Sequence, residues 1–129
     1  MLLDKSILDK LSNVASENPR LRTNFDLRNT DKDNSQRMLN ALQLGTILPI
    51  HRHPLTSETL IVIRGTVCQK FYDSKGELTE TFVLTGGGDC SVMQIPIGQF
   101  HSLECLEPDT VIFEAKDGPY MPISSEDIL

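Results

Sequence analysis

The sequence predicts an all-β sandwich or barrel preceded by one amphipathic helix. From Arg37 onward, short β-rich runs alternate with turn signals, which is typical of antiparallel sheets and not of βαβ units. Residues 4–17 instead carry apolar side chains at helical spacing. A chain of 129 residues has the usual size of one domain and can bury a core of its own. We therefore expect residues 1–129 to form a single domain.

The helix is predicted from the segment DKSILDKLSNVASE, in which Asp4 or Ser6 can act as N-cap and Pro19 ends the pattern. Its apolar positions are Ile7, Leu8, Leu11, Val14 and Ala15. Such a helix is expected to cover one end or edge of the main body. Residues 18–36 are rich in Asn, Asp and Arg, and they predict loops and turns with room for one short strand.

Seven strands are predicted in the rest of the chain, at residues 37–48, 58–64, 66–72, 79–85, 90–95, 100–105 and 110–116. Residues 73–76 (DSKG) and 86–89 (GGGD) predict hairpin turns, because glycine accepts the positive φ of tight turns. The three glycines could alternatively cradle a phosphate, but no helical pattern follows them to supply amide groups. The expected organisation is a helix with a polar lead-in at 1–36, a β-barrel at 37–116 and a C-terminal tail at 117–129.

Composition and charge argue against several classes of function. Three cysteines without C-x-x-C spacing indicate neither a disulfide framework nor a thiolate zinc site, and they favour a reducing compartment. No apolar run has the length of a signal peptide or a membrane span, so we expect a cytoplasmic protein that is not membrane-bound. A net charge of −6 without clustered Lys or Arg argues against nucleic acid as a partner.

A histidine-rich stretch from Gly45 to Gly65, GTILPIHRHPLTSETLIVIRG, has the pattern G-x5-H-x-H-x4-E-x6-G. Side chains two residues apart project from the same face of a strand, so His51 and His53 can bind one ion together. The bend at residues 54–57 can direct the carboxylate of Glu58 toward that ion. This stretch therefore predicts part of a metal site.

A second stretch, GDCSVMQIPIGQFHSLEC, contains the pattern P-x-G-x-x-H. Pro96 and Gly98 are expected to turn the chain, so that His101 follows on the returning strand. The complete set of predicted ligands is His51, His53, Glu58 and His101. Imidazole and carboxylate together suit several first-row metals, and we expect one divalent ion, Zn, Ni, Mn or Fe. All three histidines of the chain lie in these stretches, which favours metal binding over ordinary polar placement on strands.

The two stretches resemble the two motifs of the cupin superfamily, G-x5-H-x-H-x3,4-E-x6-G and G-x5-7-P-x-G-x2-H-x3-N. The matching residues are Gly45, His51, His53, Glu58, Gly65, Gly88, Pro96, Gly98 and His101. Cys105 stands where the family has Asn. The resemblance implies a cupin double-stranded β-helix, a small jelly-roll barrel with the metal ligands inside it near its mouth. Four protein ligands would leave one or two positions on the metal open to substrate or water.

Beyond these motifs the chain resembles the WbuC family of cupin-fold metalloproteins. The matching stretches are 22–25 (RTNF), Asp33 with 36–37 (QR), 51–54 (HRHP), 95–101 and 114–120 (EAKDGPY). This resemblance implies a metal-binding cupin linked to surface-polysaccharide or sugar-nucleotide metabolism. Cupins commonly pair through strands, and exposed sheet edges need cover, so we also expect a homodimer.

Three functions are compatible with the predicted site. The first is a metal-dependent enzyme that isomerises or epimerises a small oxygen-rich molecule such as a sugar or sugar nucleotide. The second is a non-catalytic module in which the metal seats a carbohydrate or stabilises the barrel. The third is a dioxygenase with Fe(II). No general acid or base is identifiable from the sequence, and the expected partner is a small-molecule ligand such as a carbohydrate.

Four further residues, Gln94, Phe100, Cys105 and Tyr120, are candidates for lining the cavity, with ordinary packing or surface placement as the alternative for each. Cys105 could bind the metal as a thiolate or be oxidised there, but a small buried apolar filler is the favoured interpretation. Arg52 lies between the two histidines and points to the opposite face. We expect it to be solvent-exposed or to form a structural ion pair.

Overall fold

The computed structural model describes all residues from Met1 to Leu129. One α-helix, α1 (Lys5–Glu17), precedes eight strands, and a short 3-10 helix covers Ser125–Asp127. The strands are β1 (Arg22–Asp26), β2 (Ser35–Leu42), β3 (Glu58–Arg64), β4 (Thr66–Tyr72), β5 (Leu78–Thr85), β6 (Val92–Ile95), β7 (Phe100–Cys105) and β8 (Thr110–Asp117). None of the helices is both long enough and apolar enough to span a membrane.

The strands form two antiparallel sheets that face each other. The first has five strands in the order β1-β2-β8-β3-β6, and the second has three in the order β5-β4-β7. The chain passes between the sheets at the β3–β4, β5–β6, β6–β7 and β7–β8 connections. This arrangement confirms the predicted all-β sandwich with an N-terminal helix.

The space between the sheets holds the main core. Its buried residues are Leu42, Leu60, Val62, Val67, Leu84, Leu103, Cys105 and Ile112. Successive side chains of a strand point to opposite faces, so Ile112 enters this core while its neighbour Val111 belongs to a second cluster. Each buried Leu, Ile or Val contributes roughly 1.5–3 kcal/mol, so this cluster is a major source of stability.

Helix α1 packs against the outer face of the five-stranded sheet. Asp4 is its N-cap, and its carboxylate accepts a hydrogen bond from the Ile7 amide at 3.2 Å. The shared cluster consists of Leu8, Ala15, Leu39, Ala41 and Val111. Arg64 of β3 donates a hydrogen bond to Asp9 of the helix at 2.6 Å. The helix therefore covers a face of the sheet, and not an end or edge as predicted, because its apolar stripe matches the outward apolar residues of β2 and β8.

The predicted strand at 37–48 is the largest error in the secondary structure. Strand β2 ends at Leu42, because the chain turns at residues 43–46, where Gly45 takes a φ of 91°. Pro49, which lacks an amide hydrogen, then prevents a regular ladder. Smaller differences affect three other strands, which were predicted at 79–85, 90–95 and 110–116 and are observed at Leu78–Thr85, Val92–Ile95 and Thr110–Asp117.

The start of the sheet and one predicted turn differ from the structure. The one short strand allowed for residues 18–36 is β1, and it pairs with β2, so the sheet begins at Arg22 and not at residue 37. The turn at 73–76 joins the paired strands β4 and β5 and is a hairpin, as predicted. The turn at 86–89 instead connects β5 to β6, which lie in different sheets, so it is a crossover and not a hairpin.

Candidate metal centre

The three histidines and Glu58 meet between the two sheets. His101 lies on β7 of the three-stranded sheet, and Glu58 begins β3 of the five-stranded sheet. His51 and His53 belong to the irregular segment between β2 and β3. His51 forms an isolated antiparallel bridge with His101. The amide nitrogen of His51 lies 3.1 Å from the carbonyl oxygen of His101, and the amide nitrogen of His101 lies 2.8 Å from the carbonyl oxygen of His51. This bridge holds the first motif against the second.

Two further contacts hold the segment that carries His51 and His53. The Gly98 amide donates a hydrogen bond to the His53 carbonyl at 2.9 Å, and Gly98 takes a φ of 77° that favours glycine. On the other side, Arg52 pairs with Asp127 at 2.7 Å and lies over the Phe100 ring at 4.7 Å from its centroid. Arg52 thus forms a structural ion pair, one of its two predicted placements. The C-terminal residues therefore help to position the histidines.

The distances within the cluster suit a single ion. The ligand atoms offered by the three histidines all lie within 4.8 Å of one another. The Oε2 atom of Glu58 lies 3.2 Å from Nε2 of His101 and 3.5 Å from Nε2 of His53. Ligands with bonds of about 2.1 Å to one metal lie roughly 3 Å apart. The structure thus brings together all four predicted ligands.

Backbone carbonyls orient two of the imidazoles. Nδ1 of His51 lies 3.0 Å from the Pro49 carbonyl, and Nδ1 of His101 lies 2.8 Å from the Gln99 carbonyl. A carbonyl oxygen only accepts, so Nδ1 of each ring donates to it, which leaves Nε2 as the ring atom available to a metal. Such carbonyl partners commonly orient metal-binding histidines.

Two buried atoms of this cluster lack hydrogen-bond partners, namely Nε2 of His53 and Oε2 of Glu58. Their separation of 3.5 Å and their orientation do not make a hydrogen bond. Glu58 is only 5% exposed, so its carboxylate is largely removed from water. Unsatisfied buried polar atoms are rare in native proteins and call for an explanation. A cation bound between them would satisfy both, so these residues fit a metal.

The protonation states of the cluster also suit a cation. Burial lowers the pKa of His51 to about 4, and repulsion from His101 adds to the effect. Burial alone would raise the pKa of Glu58, but the imidazoles of His101 and His53 outweigh it and hold this pKa well below its usual range. At neutral pH His51 is therefore a neutral donor and Glu58 is an anion.

Three of the four candidate ligands line a cavity of about 270 Å³. One wall is the inner face of the five-stranded sheet, to which residues of β1, β2 and β8 contribute. Its polar and flexible members include Arg22, Asn24, Met38, Asn40, Glu114 and Lys116. His51, Glu58 and His101 line the same cavity. Ligand pockets usually have volumes of roughly 300–1,000 Å³, so this cavity suits a small molecule.

Glu114 is a site residue for which the sequence indicated no role. It lies half-buried on β8, where it lines the cavity together with Glu58. Burial and the nearby charge of Glu58 raise the pKa of Glu114 to about 8. The sequence did contain a signal, because Glu114 and Lys116 are two residues apart in a predicted strand and must share a face. What it lacked was the evidence that this face points inward.

Of the four further cavity candidates, Tyr120 lines this cavity and the other three lie elsewhere. Gln94 is on the exposed side of β6, where it bonds to Ser57 and Thr59 at 2.8 and 2.7 Å. Phe100 is buried beneath Arg52. Cys105 is part of the main core. Burial raises the pKa of its thiol, whose Sγ donates to the Glu107 carbonyl at 3.0 Å. Cys105 therefore fills the core, which was the favoured interpretation.

Solved structures of several cupin-fold proteins are similar to this chain. Capsular polysaccharide assembling protein CapF from Staphylococcus aureus is 19% identical with a TM-score of 0.67, over 87% of this chain and 30% of CapF. KdgF from Halomonas sp. is 14% identical with a TM-score of 0.64, over 80% of this chain and 84% of KdgF. An oxalate oxidase in complex with the substrate analogue glycolate is 16% identical with a TM-score of 0.65, over 84% of this chain and 57% of that one.

These similarities establish the predicted cupin fold. The chain spans about a third of the length of the CapF chain that it matches. No curated protein matches the sequence. A family model described as a domain of unknown function, DUF6016, matches residues 3–84. Because this match covers more than half of its length, the chain belongs to the DUF6016 family.

Proposed function

We propose that the protein is a metal-binding cupin in which His51, His53, His101 and Glu58 hold one divalent ion. The observation that carries this proposal is the pair of buried, unpartnered atoms, Nε2 of His53 and Oε2 of Glu58, at the centre of the cluster. Zn, Ni, Mn and Fe all suit this set of donors. When bound, such an ion supplies Lewis acidity toward an oxygen atom of a substrate.

We further propose that the protein is an enzyme that isomerises or epimerises a small sugar. Such reactions move a proton next to an oxygen-bearing carbon, so they need a group that can hold it. Glu114 is the second carboxyl group in the cavity and is close to Glu58, so it can give or take that proton at its side-chain oxygen. Asn40 and Lys116 lie in the same wall and can orient the hydroxyl groups of a sugar.

The resemblance to the WbuC family supports a role in surface-polysaccharide metabolism. CapF, which shares the fold, is named for capsular polysaccharide assembly. The volume of about 270 Å³ accommodates a single sugar better than a whole sugar nucleotide, so the nucleotide portion of such a substrate would lie outside the cavity. A cytoplasmic location accords with three unpaired cysteines.

The metal proposal is tested first by elemental analysis of protein purified without a histidine tag. We expect close to one equivalent of a first-row metal per chain. A chelator-treated sample should show a higher melting temperature on addition of Zn, Ni, Mn or Fe(II). The variants His53→Ala, His101→Ala and Glu58→Gln should lose that increase. Glu104→Gln is the matched control, because this carboxylate is on the same strand as His101 but exposed to solvent.

The outcome that contradicts the proposal is equally clear. A chelator-treated protein whose melting temperature responds to none of these metals would exclude a metal centre here. Equal responses from Glu58→Gln and Glu104→Gln would show that the metal binds elsewhere. The enzymatic proposal is tested separately, by incubating metal-loaded protein with monosaccharides in deuterated water and measuring incorporation of deuterium by NMR. Glu114→Gln should abolish this incorporation while the metal-dependent stabilisation remains.

A homodimer is proposed from the exposure of strand β5. This edge strand of eight residues is exposed along most of its length, and Leu78 and Val83 are 53% and 59% exposed. Exposed apolar edge strands favour pairing with another strand. Light scattering should give twice the mass of the chain, and Val83→Lys should shift the mass toward one chain. A single-chain mass at every concentration would refute this proposal.

A further inference from the structure

Three basic residues of the cavity have no role in the metal proposal. Arg20, Arg22 and Lys116 line the cavity together with the acidic residues Glu58 and Glu114. With both carboxyl groups counted as ionised, three basic and two acidic groups give the cavity a formal charge of +1 (3 − 2), whereas the protein has a net charge of −6. A divalent ion would raise the cavity charge further. A positive cavity in a negative protein attracts anions in preference to neutral molecules.

The two arginines differ from every other arginine of the chain. The four others, Arg28, Arg37, Arg52 and Arg64, each form an ion pair with an aspartate. Arg20 and Arg22 form none. Their two side chains together make one hydrogen bond to the rest of the protein. It is a long one of 3.3 Å, from Nη1 of Arg22 to the Ile47 carbonyl. Their guanidinium groups are therefore available to a ligand.

The backbone keeps these two like charges close together. Leu21, between them, has a φ of 57°, which residues with a side chain rarely adopt. Three hydrogen bonds hold Leu21 in this conformation. Its amide donates to the Asn18 carbonyl at 2.9 Å, and its carbonyl accepts from the Gln43 amide at 3.0 Å and from the Thr46 hydroxyl at 2.7 Å. Burial, and then the charge of Arg20, lower the pKa of Arg22. Unfavourable backbone conformations and unpaired like charges of this kind tend to occur at binding sites.

We propose that Arg20 and Arg22 bind the carboxylate or phosphate group of a small hydroxylated anion in this cavity. Arginine suits both groups, because its planar fork can donate two parallel hydrogen bonds to neighbouring oxygen atoms. Asn24 and Tyr120 also line the cavity and can bind hydroxyl groups of the same molecule. The inference rests on the proposed function in that it places the ligand in the cavity of the metal centre. It restricts the substrate class from sugars in general to acidic or phosphorylated ones.

The test is calorimetric titration of the protein with glucuronate, inorganic phosphate and neutral glucose, at low ionic strength and up to millimolar concentrations. We expect glucuronate or phosphate to bind more tightly than glucose, and added salt to weaken that binding. The two anions distinguish a carboxylate site from a phosphate site. Arg22→Gln should raise the Kd of the preferred anion by about 10- to 100-fold, the usual effect of losing a charge-assisted contact. Arg22→Lys should raise it less, because the charge remains and the fork is lost.

Arg37→Gln is the matched control, because it removes the same charge from the same sheet outside the cavity. It should change the Kd by no more than about twofold. Arg20→Gln provides a second test at an exposed position, where a substitution should not affect folding. The inference is wrong if neither anion binds, if glucose binds as tightly as the anions, or if Arg22→Gln and Arg20→Gln both behave like Arg37→Gln.

Titrations of chelator-treated and metal-loaded protein separate this inference from the proposed function. If no metal binds but the anion still depends on Arg22, the metal proposal fails and the anion site stands. If metal binds normally and the anion does not depend on either arginine, the anion site fails and the metal centre stands.

Discussion

Replacing Glu114 by Gln should stabilise the metal-free protein at alkaline pH. The half-buried carboxyl group lines the cavity and is close to the ionised Glu58, so a second negative charge at this position is unfavourable. Gln has nearly the same shape and keeps a donor and an acceptor, as the protonated acid does.

The magnitude follows from the difference between the folded and unfolded states. The pKa of Glu114 is about 8 in the folded protein and 4.5 is its usual value. Between these pH values the unfolded chain releases the proton and the folded protein keeps it, so stability falls as pH rises. The loss is at most about 1.4 kcal/mol for each pH unit. The Glu114 side chain is only half-buried, so water weakens the effect, and we expect Glu114→Gln to gain about 1–3 kcal/mol near pH 8.

The assay is thermal unfolding of chelator-treated wild type, Glu114→Gln and the control Glu80→Gln at about pH 5 and about pH 8. For a chain of 129 residues the expected gain corresponds to an increase of about 4–11 °C in Tm near pH 8. Near pH 5, wild-type Glu114 is protonated in the folded protein, so the increase should nearly vanish. Glu80 is exposed on β5, and its substitution should have little effect at either pH.

Two results would refute this reasoning. If Glu114→Gln is no more stable than wild type near pH 8, the carboxyl group ionises without cost and is not shielded from water. If the gain is the same at both pH values, it arises from packing and not from the proton. In either case Glu114 would lose its role as the proton-holding group of the proposed reaction.

Three further predictions concern the metal ligands and a motif glycine. Metal at about a hundredfold excess over Kd should stabilise the protein by about 2.7 kcal/mol near pH 7.5. This stabilisation should shrink toward pH 5.5, because protons compete with the metal for imidazole. In thermal melts, His101→Ala should abolish the stabilisation. In metal-free protein, His51 resists protonation until about pH 4, whereas the unfolded chain binds that proton near 6.5, so stability should fall between these values on acidification. His51→Gln should reduce that slope in urea titrations; an unchanged slope would contradict it. Gly65→Ala should lower the free energy of unfolding by about 3 kcal/mol or more, because φ at Gly65 is 85° and a Cβ would collide with Thr110. The control is Gly76→Ala, at a residue with a φ of 84° and no atom near the new Cβ, and it should lower the free energy of unfolding by only about 1 kcal/mol. Equal losses at the two glycines would show that the collision is relieved.

The local pattern of the sequence was sufficient to predict the fold class and most strands. Strands 58–64, 66–72 and 100–105 have the predicted bounds, because each is a short β-rich run limited by glycine, proline or charged turn residues. The prediction failed between residues 43 and 48, which belong to the predicted strand 37–48 but lie beyond the end of β2. There the turn at Gly45 and the missing amide of Pro49 outweigh strand propensity. Whether such a segment forms a turn or continues the strand is difficult to predict without knowing the partner strand.

The four candidate ligands could be chosen from the sequence because their spacing is itself the signal. His51 and His53 are separated by one residue, and Glu58 and His101 follow at intervals that match a known pattern. The sequence did not show why these four residues come together in the folded protein. Their convergence depends on the bridge from His51 to His101 and on the pairing of Arg52 with Asp127, which join residues 50 and 75 positions apart in the chain.

The sequence by itself therefore determined the fold class, the helix and the identity of the candidate ligands, since each depends on neighbours or on fixed short intervals. Only the tertiary structure decided which face of each strand points inward. That choice assigns Glu114, Lys116 and Arg22 to the cavity, and it moves Gln94 and Cys105 away from it. The alternation of a strand makes two faces equivalent until a second sheet covers one of them. The pKa of Glu114 and the unpaired arginines follow from that covering, because burial and distant charges arise only when the sheets meet.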